Sequence, residues 1–357
     1  MNIFKALIPL TVAALLAGCN SSSTSTNTST DDKGAGATAG GEAPKKTLKV
    51  GILFDSGGRG DKSFNDSAWE GIERAKAEFK IEEIQLQSKS QADNEVSLTQ
   101  LASQNPDIVF AVGLTMQDAV NNVSQKFKNV KFAIVDGDAK QDNVRMLKFR
   151  EEQGSFLAGY LAGLMTTTNK IGFVGGMEIP LIKKFEYGYY AGAKMANPKI
   201  ELLPSKYTGD WNNSDKGKAA AATLFSAGAD IVYHAAGRAG LGVFAAAKDA
   251  KRFAIGVDSQ QDDLEPKTIL TSMIKRVDMA VYSTIKDVLD DKFTSGEKLY
   301  DVASSGVALS EFPHTKDIIG SERIDKVEAI KAKLASGDIV APADKDAFDK
   351  FIANLPK

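Results

Sequence analysis

The sequence predicts an α/β protein built from two doubly wound parallel-sheet lobes joined by a hinge. Short runs of β-branched and other apolar residues alternate with segments of helical spacing, which is typical of parallel strands connected by crossover helices. This alternation occurs twice, once over residues 47–150 and again over residues 151–275. The length of 357 residues also favours two lobes over one, because single domains most often hold about 100–150 residues.

The strands and helices of the first lobe are predicted from these apolar runs and from the segments of helical spacing. Strands are predicted at residues 48–54, 84–86, 107–112, 131–135 and 146–150, and helices at residues 64–79, 96–104 and 115–127. Trp69, Ile72 and Phe79 have helical spacing, so they are expected on one face of the first helix. We therefore expect Trp69 to lie in the core.

The second lobe repeats the pattern. Strands are predicted at residues 170–175, 200–207, 230–234, 253–257 and 269–274, and helices at residues 151–165, 183–195, 215–227 and 240–251. Residues 276–357 are expected to return to the first lobe and complete it, with helices at 322–334 and 343–354.

The first 18 residues have the features of a lipoprotein signal peptide. Lys5 supplies a positive charge, residues 6–16 are apolar, and the sequence LAGC at 16–19 matches the bacterial lipobox. A bilayer span needs about 20 apolar residues, so this stretch is too short to be a transmembrane helix. Cleavage before Cys19 and acylation of its thiol are expected. Residues 19–46 are rich in Ser, Thr and Gly and are predicted to be a flexible tether for an extracytoplasmic body.

Composition excludes several classes of function. Lys and Arg total 44 against 46 acidic residues, which gives a net charge of −2 and makes nucleic acid an improbable partner. One cysteine and two histidines, His234 and His314, do not predict a disulfide framework or a metal site. The chain has no G-x-S-x-G or H-E-x-x-H motif. We therefore predict a protein that is not an enzyme and that uses no cofactor, metal or catalytic residue.

In open α/β sheets, ligands bind beyond the carboxyl ends of the strands, and the loop at residues 55–65 (DSGGRGDKSFN) follows the first strand. Its glycines at 57, 58 and 60 lack the G-x-G-x-x-G spacing of a dinucleotide site. Asp55 is a possible ligand contact, and Ser63 or Asn65 could instead cap the following helix. Phe64 is an aromatic residue in a polar loop and is predicted to stack on a ligand.

Two carboxylates occupy matching places in the lobes. Asp136 follows a buried strand of the first lobe, and Asp258 follows one of the second lobe, with the possible contact Gln260 close behind. Each carboxylate can accept hydrogen bonds from a ligand, or alternatively can hold its own loop in an Asx-turn. Paired acids suit a neutral, hydroxyl-rich ligand better than an anion.

A second aromatic residue, Trp211, also lies in a polar loop after a strand. Phe64 and Trp211 could clamp a flat ligand, since each base–ring stack contributes about 1–3 kcal/mol. Phe185 is early on a helix and is either a packing residue or a ligand contact. Lys275 or Arg276, after the strand at 269–274, could donate to ligand hydroxyls.

Four segments together resemble the basic membrane protein family: the lipobox, KVGILFD at 49–55 with DKSFN at 61–65, FREEQGSFLAG at 149–159, and IGFVGGM at 171–177. The resemblance runs from residue 48 to about residue 312. It implies a lipid-anchored, monomeric substrate-binding protein of an ABC transporter with the type I periplasmic binding fold. Such proteins close about a hinge onto their ligand and deliver it to a permease.

Several members of this family bind purine nucleosides, and their site maps onto this chain by resemblance. The two rings fall on Phe64 and on Trp211, where many members have phenylalanine. The contacts to the base edge fall on Asn65 and Asp136. The ribose contacts fall on the backbone of Gly237 and on the side chains of Asp258 and Lys275.

Two other functions are compatible with the sequence. The same fold could bind a sugar or another small polar ligand, which requires one aromatic platform and more hydroxyl partners. Alternatively, the chain could be a surface lipoprotein that interacts with extracellular macromolecules. A hydrolase or dehydrogenase is disfavoured by the missing motifs.

Overall fold

A computed structural model describes residues 47–355 of the protein. The expected signal peptide at 1–18, the lipidation site Cys19 and the whole of the expected tether at 19–46 lie outside the described residues. Two mainly parallel sheets account for the strands of residues 47–355, and helices connect them. The prediction of two parallel-sheet α/β lobes is confirmed. Within this described range, no helix is both long enough and apolar enough to cross a membrane.

The first sheet contains six parallel strands in the order β12-β5-β4-β3-β1-β2. These strands are β1 (Leu48–Phe54), β2 (Ile81–Gln87), β3 (Ile108–Val112), β4 (Lys131–Val135), β5 (Val144–Phe149) and β12 (Gly296–Tyr300). Its helices are α1 (Phe64–Glu78), α2 (Asn94–Ala102), α3 (Gln117–Lys126) and α8 (Val277–Leu289). All five residues of β3 are buried, as expected for a parallel strand covered on both faces.

The second sheet has the order β13-β11-β10-β9-β6-β7, with β8 also paired to β6. Its strands are β6 (Lys170–Gly175), β7 (Glu201–Leu202), β8 (Lys206–Tyr207), β9 (Ile231–Ala235), β10 (Phe253–Asp258), β11 (Ile269–Lys275) and the antiparallel β13 (Val307–Leu309). Its helices are α4 (Glu151–Met165), α5 (Pro180–Ala196), α6 (Ser214–Ser226), α7 (Leu241–Ala250), α9 (Lys316–Ile319), α10 (Ser321–Ser336) and α11 (Lys345–Ala353).

Local chemistry explains two differences from the predicted elements. The strand predicted at 200–207 consists of the two short strands β7 and β8, and Pro204 lies in the gap because it has no backbone N–H to donate to a sheet. The helix predicted at 183–195 begins three residues earlier, at Pro180, where the missing N–H has no cost in the first turn of a helix.

The last part of the chain is divided between the lobes. The helix α8 packs on α1, where Tyr282 and Phe79 stack with ring centroids 5.9 Å apart, and β12 joins the first sheet. After β12, however, the chain crosses back, and β13 pairs with β11. The helices α10 and α11 pack on second-lobe helices, with Arg323 Nε donating to the Leu164 carbonyl and Phe351 meeting Phe156.

The expectation that all of residues 276–357 complete the first lobe is therefore wrong beyond β12. The physical reason for this error is that an amphipathic pattern shows that a helix needs an apolar partner. The pattern does not show which lobe offers that partner. The chain passes between the two sheets at residues 149–151, 275–277 and 300–307. These three crossings lie together at the place where a hinge is expected.

Candidate functional site

A cavity with about 720 Å³ of empty space, part of it open to solvent, lies between the lobes. All seven predicted ligand-binding residues line it: Phe64, Asn65, Asp136, Trp211, Gly237, Asp258 and Lys275. Two of the three possible contacts, Asp55 and Phe185, line it as well. The third, Gln260, lines a separate depression together with Ser259 and Trp69, so the structure does not bring it to the cavity.

Asp61 fixes the loop that carries the first aromatic residue. Its carboxylate accepts hydrogen bonds from the backbone N–H groups of Ser63 and Asn65, both at 2.9 Å, at the start of α1. The side chains of Ser63 and Asn65 therefore do not cap this helix, and they bond instead to Asp258 and to Asp55 and Asp61. The neighbouring Asp66 accepts from the N–H groups of Gly60 and Lys62 at 2.6 and 3.0 Å.

Asn65 offers an acceptor within the cleft. Its Nδ2 donates to Asp55 Oδ1 and to Asp61 Oδ2, each at 3.0 Å, while its buried Oδ1 has no partner. Asp55 also accepts from the N–H of Gly57 at 2.8 Å, and burial raises the pKa of Asp55. A buried oxygen without a partner is costly, so Asn65 Oδ1 is suited to accept an N–H from a ligand.

Gly176 of the IGFVGGM motif leaves room for the Trp211 ring, and the neighbouring Gly175 leaves room for the ring of Tyr207. A Cβ built on Gly176 would lie 2.1 Å from the Trp211 ring, and one built on Gly175 would lie 2.5 Å from the Tyr207 ring. Any side chain at Gly176 would therefore displace the Trp211 ring. Gly237 has a φ of 56° and lies beneath the same tryptophan, whose carbonyl accepts from the N–H of Ala239 at 2.9 Å.

The first-lobe ring, Phe64, is half-buried at the beginning of α1. Its edge lies 3.7 Å from the position that a Cβ on Gly113 would take. Phe185 is only 3% exposed, so it packs in the core and also borders the cavity. Phe64 and Phe185 both lie near the ammonium group of Lys275, whose Nζ is 5.2 and 5.7 Å from their ring centroids.

Lys275 is the centre of a buried ion cluster at the crossing between the lobes. Its Nζ lies 2.8 and 2.7 Å from the two carboxylate oxygens of Asp136 and 3.0 Å from Glu151, which also contacts Lys184 at 3.2 Å. Burial alone would lower the pKa of Lys275, but Asp136 and Glu151 raise it, so the ammonium stays charged. Arg276, the alternative donor, instead pairs with Asp278.

The two carboxylates predicted to occupy matching places in the lobes, Asp136 and Asp258, have the same backbone conformation. Asp136 has a φ of 68° and Asp258 a φ of 64°, and a non-glycine residue in this left-handed region carries about 1–3 kcal/mol of strain. Asp136 bonds to Lys275, and Asp258 accepts from the hydroxyl of Ser63 in the opposite lobe. Both side chains thus face contacts across the cleft rather than closing the Asx-turns considered as alternatives.

Three charged residues of the site were not predicted from the sequence. Asp61, Glu151 and Arg238 were not nominated, although Asp61 and Arg238 line the cavity and Glu151 contacts Lys275. Glu151 could have been found from its charge alone, because it opens a helix whose residues are largely apolar and buried. Within residues 47–355, no group of His, Cys, Asp or Glu side chains is arranged to hold a metal ion.

Comparison with known proteins places the chain in a family. A family model described as an ABC transporter substrate-binding protein, PnrA-like, matches residues 48–345. The chain belongs to this family, which is named Bmp. The resemblance to the basic membrane protein family is thereby confirmed, and a substrate-binding role in ABC transport follows from membership.

Individual Bmp relatives resemble the chain over nearly its whole length. The CD4+ T-cell-stimulating antigen of Listeria innocua is 35% identical over 95% of this chain and 98% of its own length. The ABC transporter nucleoside-binding protein BmpA of Lactococcus lactis is 33% identical over 96% of this chain and 98% of its own. A solute-binding protein of an ABC transporter from Aeropyrum pernix has a similar structure, with a TM-score of 0.78, 30% identity and coverage of 86% and 97%.

Proposed function

We propose that this Bmp-family protein binds purine nucleosides between its lobes and delivers them to an ABC permease. The observation that carries this proposal is the shared lining of one cavity by an aromatic ring from each lobe, Phe64 and Trp211, together with buried carboxylates and an ammonium group. A purine offers two flat faces to such rings, and its ribose offers hydroxyl groups to the charged side chains. The relative from Lactococcus lactis named as nucleoside-binding supports the same ligand class.

The cavity charges favour a neutral ligand. Four carboxyl groups, Asp55, Asp61, Asp136 and Asp258, line the cavity against two cationic side chains, Lys275 and Arg238. The carboxylate of Asp136 already forms an ion pair with the ammonium group of Lys275. A phosphorylated ligand would bring a further negative charge into this surplus of acids, so we propose the nucleoside rather than the nucleotide.

The residue roles proposed here follow the resemblance, and all seven residues line the same cavity. Phe64 and Trp211 would stack on the base, while Asn65 and Asp136 would bind its edge. The ribose would contact Asp258, Lys275 and the backbone of Gly237. Since these groups come from both lobes, the ligand has more contacts when the lobes are together, and binding shifts the population toward the closed form.

We further propose that the protein is an extracytoplasmic monomer held at the membrane by lipid on Cys19. The lipobox at residues 16–19 supports this anchor. A tether of 27 residues after Cys19 would reach roughly 25–30 Å as a flexible chain, which lets the folded body turn freely above the lipid head groups of the membrane, either the cell membrane or an outer membrane.

Titration calorimetry against adenosine, guanosine, inosine, ribose and glucose tests the ligand class. We expect at least one purine nucleoside to bind with a Kd of about 1 μM or tighter, since two stacks and a few polar contacts supply roughly −8 kcal/mol. Ribose lacks the stacking partner and should bind at least about 100-fold more weakly. Tighter binding of glucose or ribose than of every nucleoside would instead identify a sugar-binding protein.

Asp258 should make nucleoside binding depend on pH. Burial raises the pKa of Asp258 to about 7, although Lys275 and Ser63 oppose the rise. The ionised carboxylate accepts hydrogen bonds from ligand hydroxyls, and its fraction grows as the pH rises through this pKa. We therefore expect adenosine to bind roughly tenfold more tightly at pH 8 than at pH 6, as titration of one such group predicts.

The variant Asp258→Asn is the control for this pH dependence. It keeps the size of the side chain but cannot ionise, so its affinity should be low and nearly the same at both pH values. A wild-type affinity that does not change between pH 6 and pH 8 would show that the carboxylate of Asp258 does not receive the ligand.

A further inference from the structure

The loop between β1 and α1 is contacted across the cleft by a set of second-lobe side chains that all bind its backbone. Asn212 Nδ2 donates to the carbonyl of Ser56 at 3.2 Å. Arg238 Nη2 donates to the carbonyls of Gly57 and Arg59 at 3.1 and 3.0 Å. At the other end of the loop, Gln261 Nε2 donates to the carbonyl of Lys62 at 2.8 Å, and Ser259 Oγ donates to that of Ser63 at 3.1 Å.

The acceptor side of this contact is rigid. Positive φ angles of 59°, 83° and 57° at Gly58, Gly60 and Lys62 fold the loop into successive turns. Asp61 and Asp66 hold those turns by accepting from five backbone N–H groups, those of Gly60, Lys62, Ser63, Asn65 and Asp66. Because its conformation is fixed by its own lobe, the loop presents a preformed row of carbonyl oxygens to the second lobe.

One of the donors, Gln261, is held in place by hydrogen bonds within its own lobe. Gln261 is 1% exposed, its Oε1 accepts from the N–H of Val257 at 2.8 Å, and its own N–H donates to Ser272 Oγ at 3.0 Å. Ser272 in turn donates to the buried carboxylate of Asp262 at 2.8 Å. Little side-chain entropy therefore remains to be lost when Gln261 meets the carbonyl of Lys62.

We propose that four second-lobe side chains form a latch that stabilises the closed arrangement of the lobes and so sets ligand affinity: Asn212, Arg238, Ser259 and Gln261. Three of them, Asn212, Ser259 and Gln261, do so without contacting the ligand. These three residues do not line the cavity, whereas Arg238 does. The apparent Kd of a protein that binds only when closed is its intrinsic Kd divided by the closed fraction. Weakening the latch therefore lowers the affinity for every ligand by one common factor.

The latch can be tested without any ligand by measuring the distance between the lobes. Spin labels at Lys89→Cys in the first lobe and Asp215→Cys in the second lobe, both exposed positions, report on the cleft when the native cysteine is removed by Cys19→Ser. We expect both a short and a longer distance in the otherwise unchanged ligand-free chain, because ligand binding is proposed to shift a mixed population toward the closed form. The double change Asn212→Ala and Arg238→Met should raise the open-to-closed ratio about tenfold or more, since it removes three hydrogen bonds, two of them from a charged donor.

Two further variants complete the distance measurement. Gln261→Glu keeps the acceptor for the Val257 N–H but loses the donor to Lys62, and it should also shift the lobes toward the longer distance. Lys216→Met removes a second-lobe cation that pairs with Asp210 of its own lobe, and it should leave the distances unchanged. Unchanged distances in both the double variant and Gln261→Glu would overturn the latch.

The affinity measurement rests on the proposed nucleoside-binding function, whereas the distance measurement does not. Asn212→Ala should weaken adenosine and guanosine binding by the same factor, because the latch acts on the closed fraction alone. Unequal factors for the two nucleosides would overturn this role by showing that Asn212 acts on the ligand itself. Failure of the chain to bind any nucleoside would refute the proposed ligand class and leave the distances to decide on the latch.

Discussion

Replacing Lys275 with methionine should destabilise the fold and abolish high-affinity ligand binding together. Lys275 is 1% exposed and is shared by the carboxylates of Asp136 and Glu151. Its removal leaves Asp136 as a buried acid without its ammonium partner, which costs about 3–5 kcal/mol of unfolding free energy. The loss of the same group from the cavity should raise the nucleoside Kd by about 30-fold or more. Chemical denaturation and calorimetry measure the two effects separately.

A second substitution separates the structural role of Lys275 from its role in binding. Adding Asp136→Asn to Lys275→Met removes the uncompensated acid, while Glu151 keeps its contact with Lys184. We expect the double variant to regain much of the lost stability but not the affinity. If Lys275→Met is as stable as the wild type at pH 7, the charge of Lys275 is not essential to this crossing between the lobes.

Much of the fold was accessible from the sequence because buried parallel strands and crossover helices have different periods. The residues of β4 and β6 and those of α4 were predicted to the residue, since each is an apolar run or helix with clear limits. The destination of the chain after β12 was not accessible in this way. It depends on the apolar surface of α4 and α5. There the ring of Phe156 contacts the ring of Phe351, and these two residues are far apart in the sequence.

The residues of the candidate site also divide into those that the sequence could predict and those that it could not. Residues immediately after strands, such as Asp136 and Trp211, could be nominated because the topology brings all strand ends to one edge of each sheet. Gln260, a possible contact, shows the limit of that rule, since two residues beyond β10 the loop has already turned toward the separate depression. Glu151 and Arg238 act through partners far away in sequence, Lys275 and the carbonyls of Gly57 and Arg59. No local pattern reveals such pairs.

Removing the aromatic rings should reduce nucleoside affinity more than any other change confined to the cavity surface. Phe64→Ala and Trp211→Ala each delete one stack worth about 1–3 kcal/mol, so each should raise the Kd by roughly 5- to 150-fold. The double variant should lose less than the product of the two factors. A base held by only one ring can shift within the cavity, and the remaining ring then contributes less.

The two tryptophans supply an internal control and a direct signal. Trp69→Phe should leave the affinity unchanged, because Trp69 packs against Phe54 and under Arg59 and does not line the cavity. It also leaves Trp211 as the sole tryptophan, since the chain has two. Adenosine should then change the fluorescence of Trp211 over the same concentration range as the calorimetric titration. Wild-type affinity in both Phe64→Ala and Trp211→Ala would mean that the ligand does not stack between these rings, and a nucleoside would lose its main source of binding energy in this cavity.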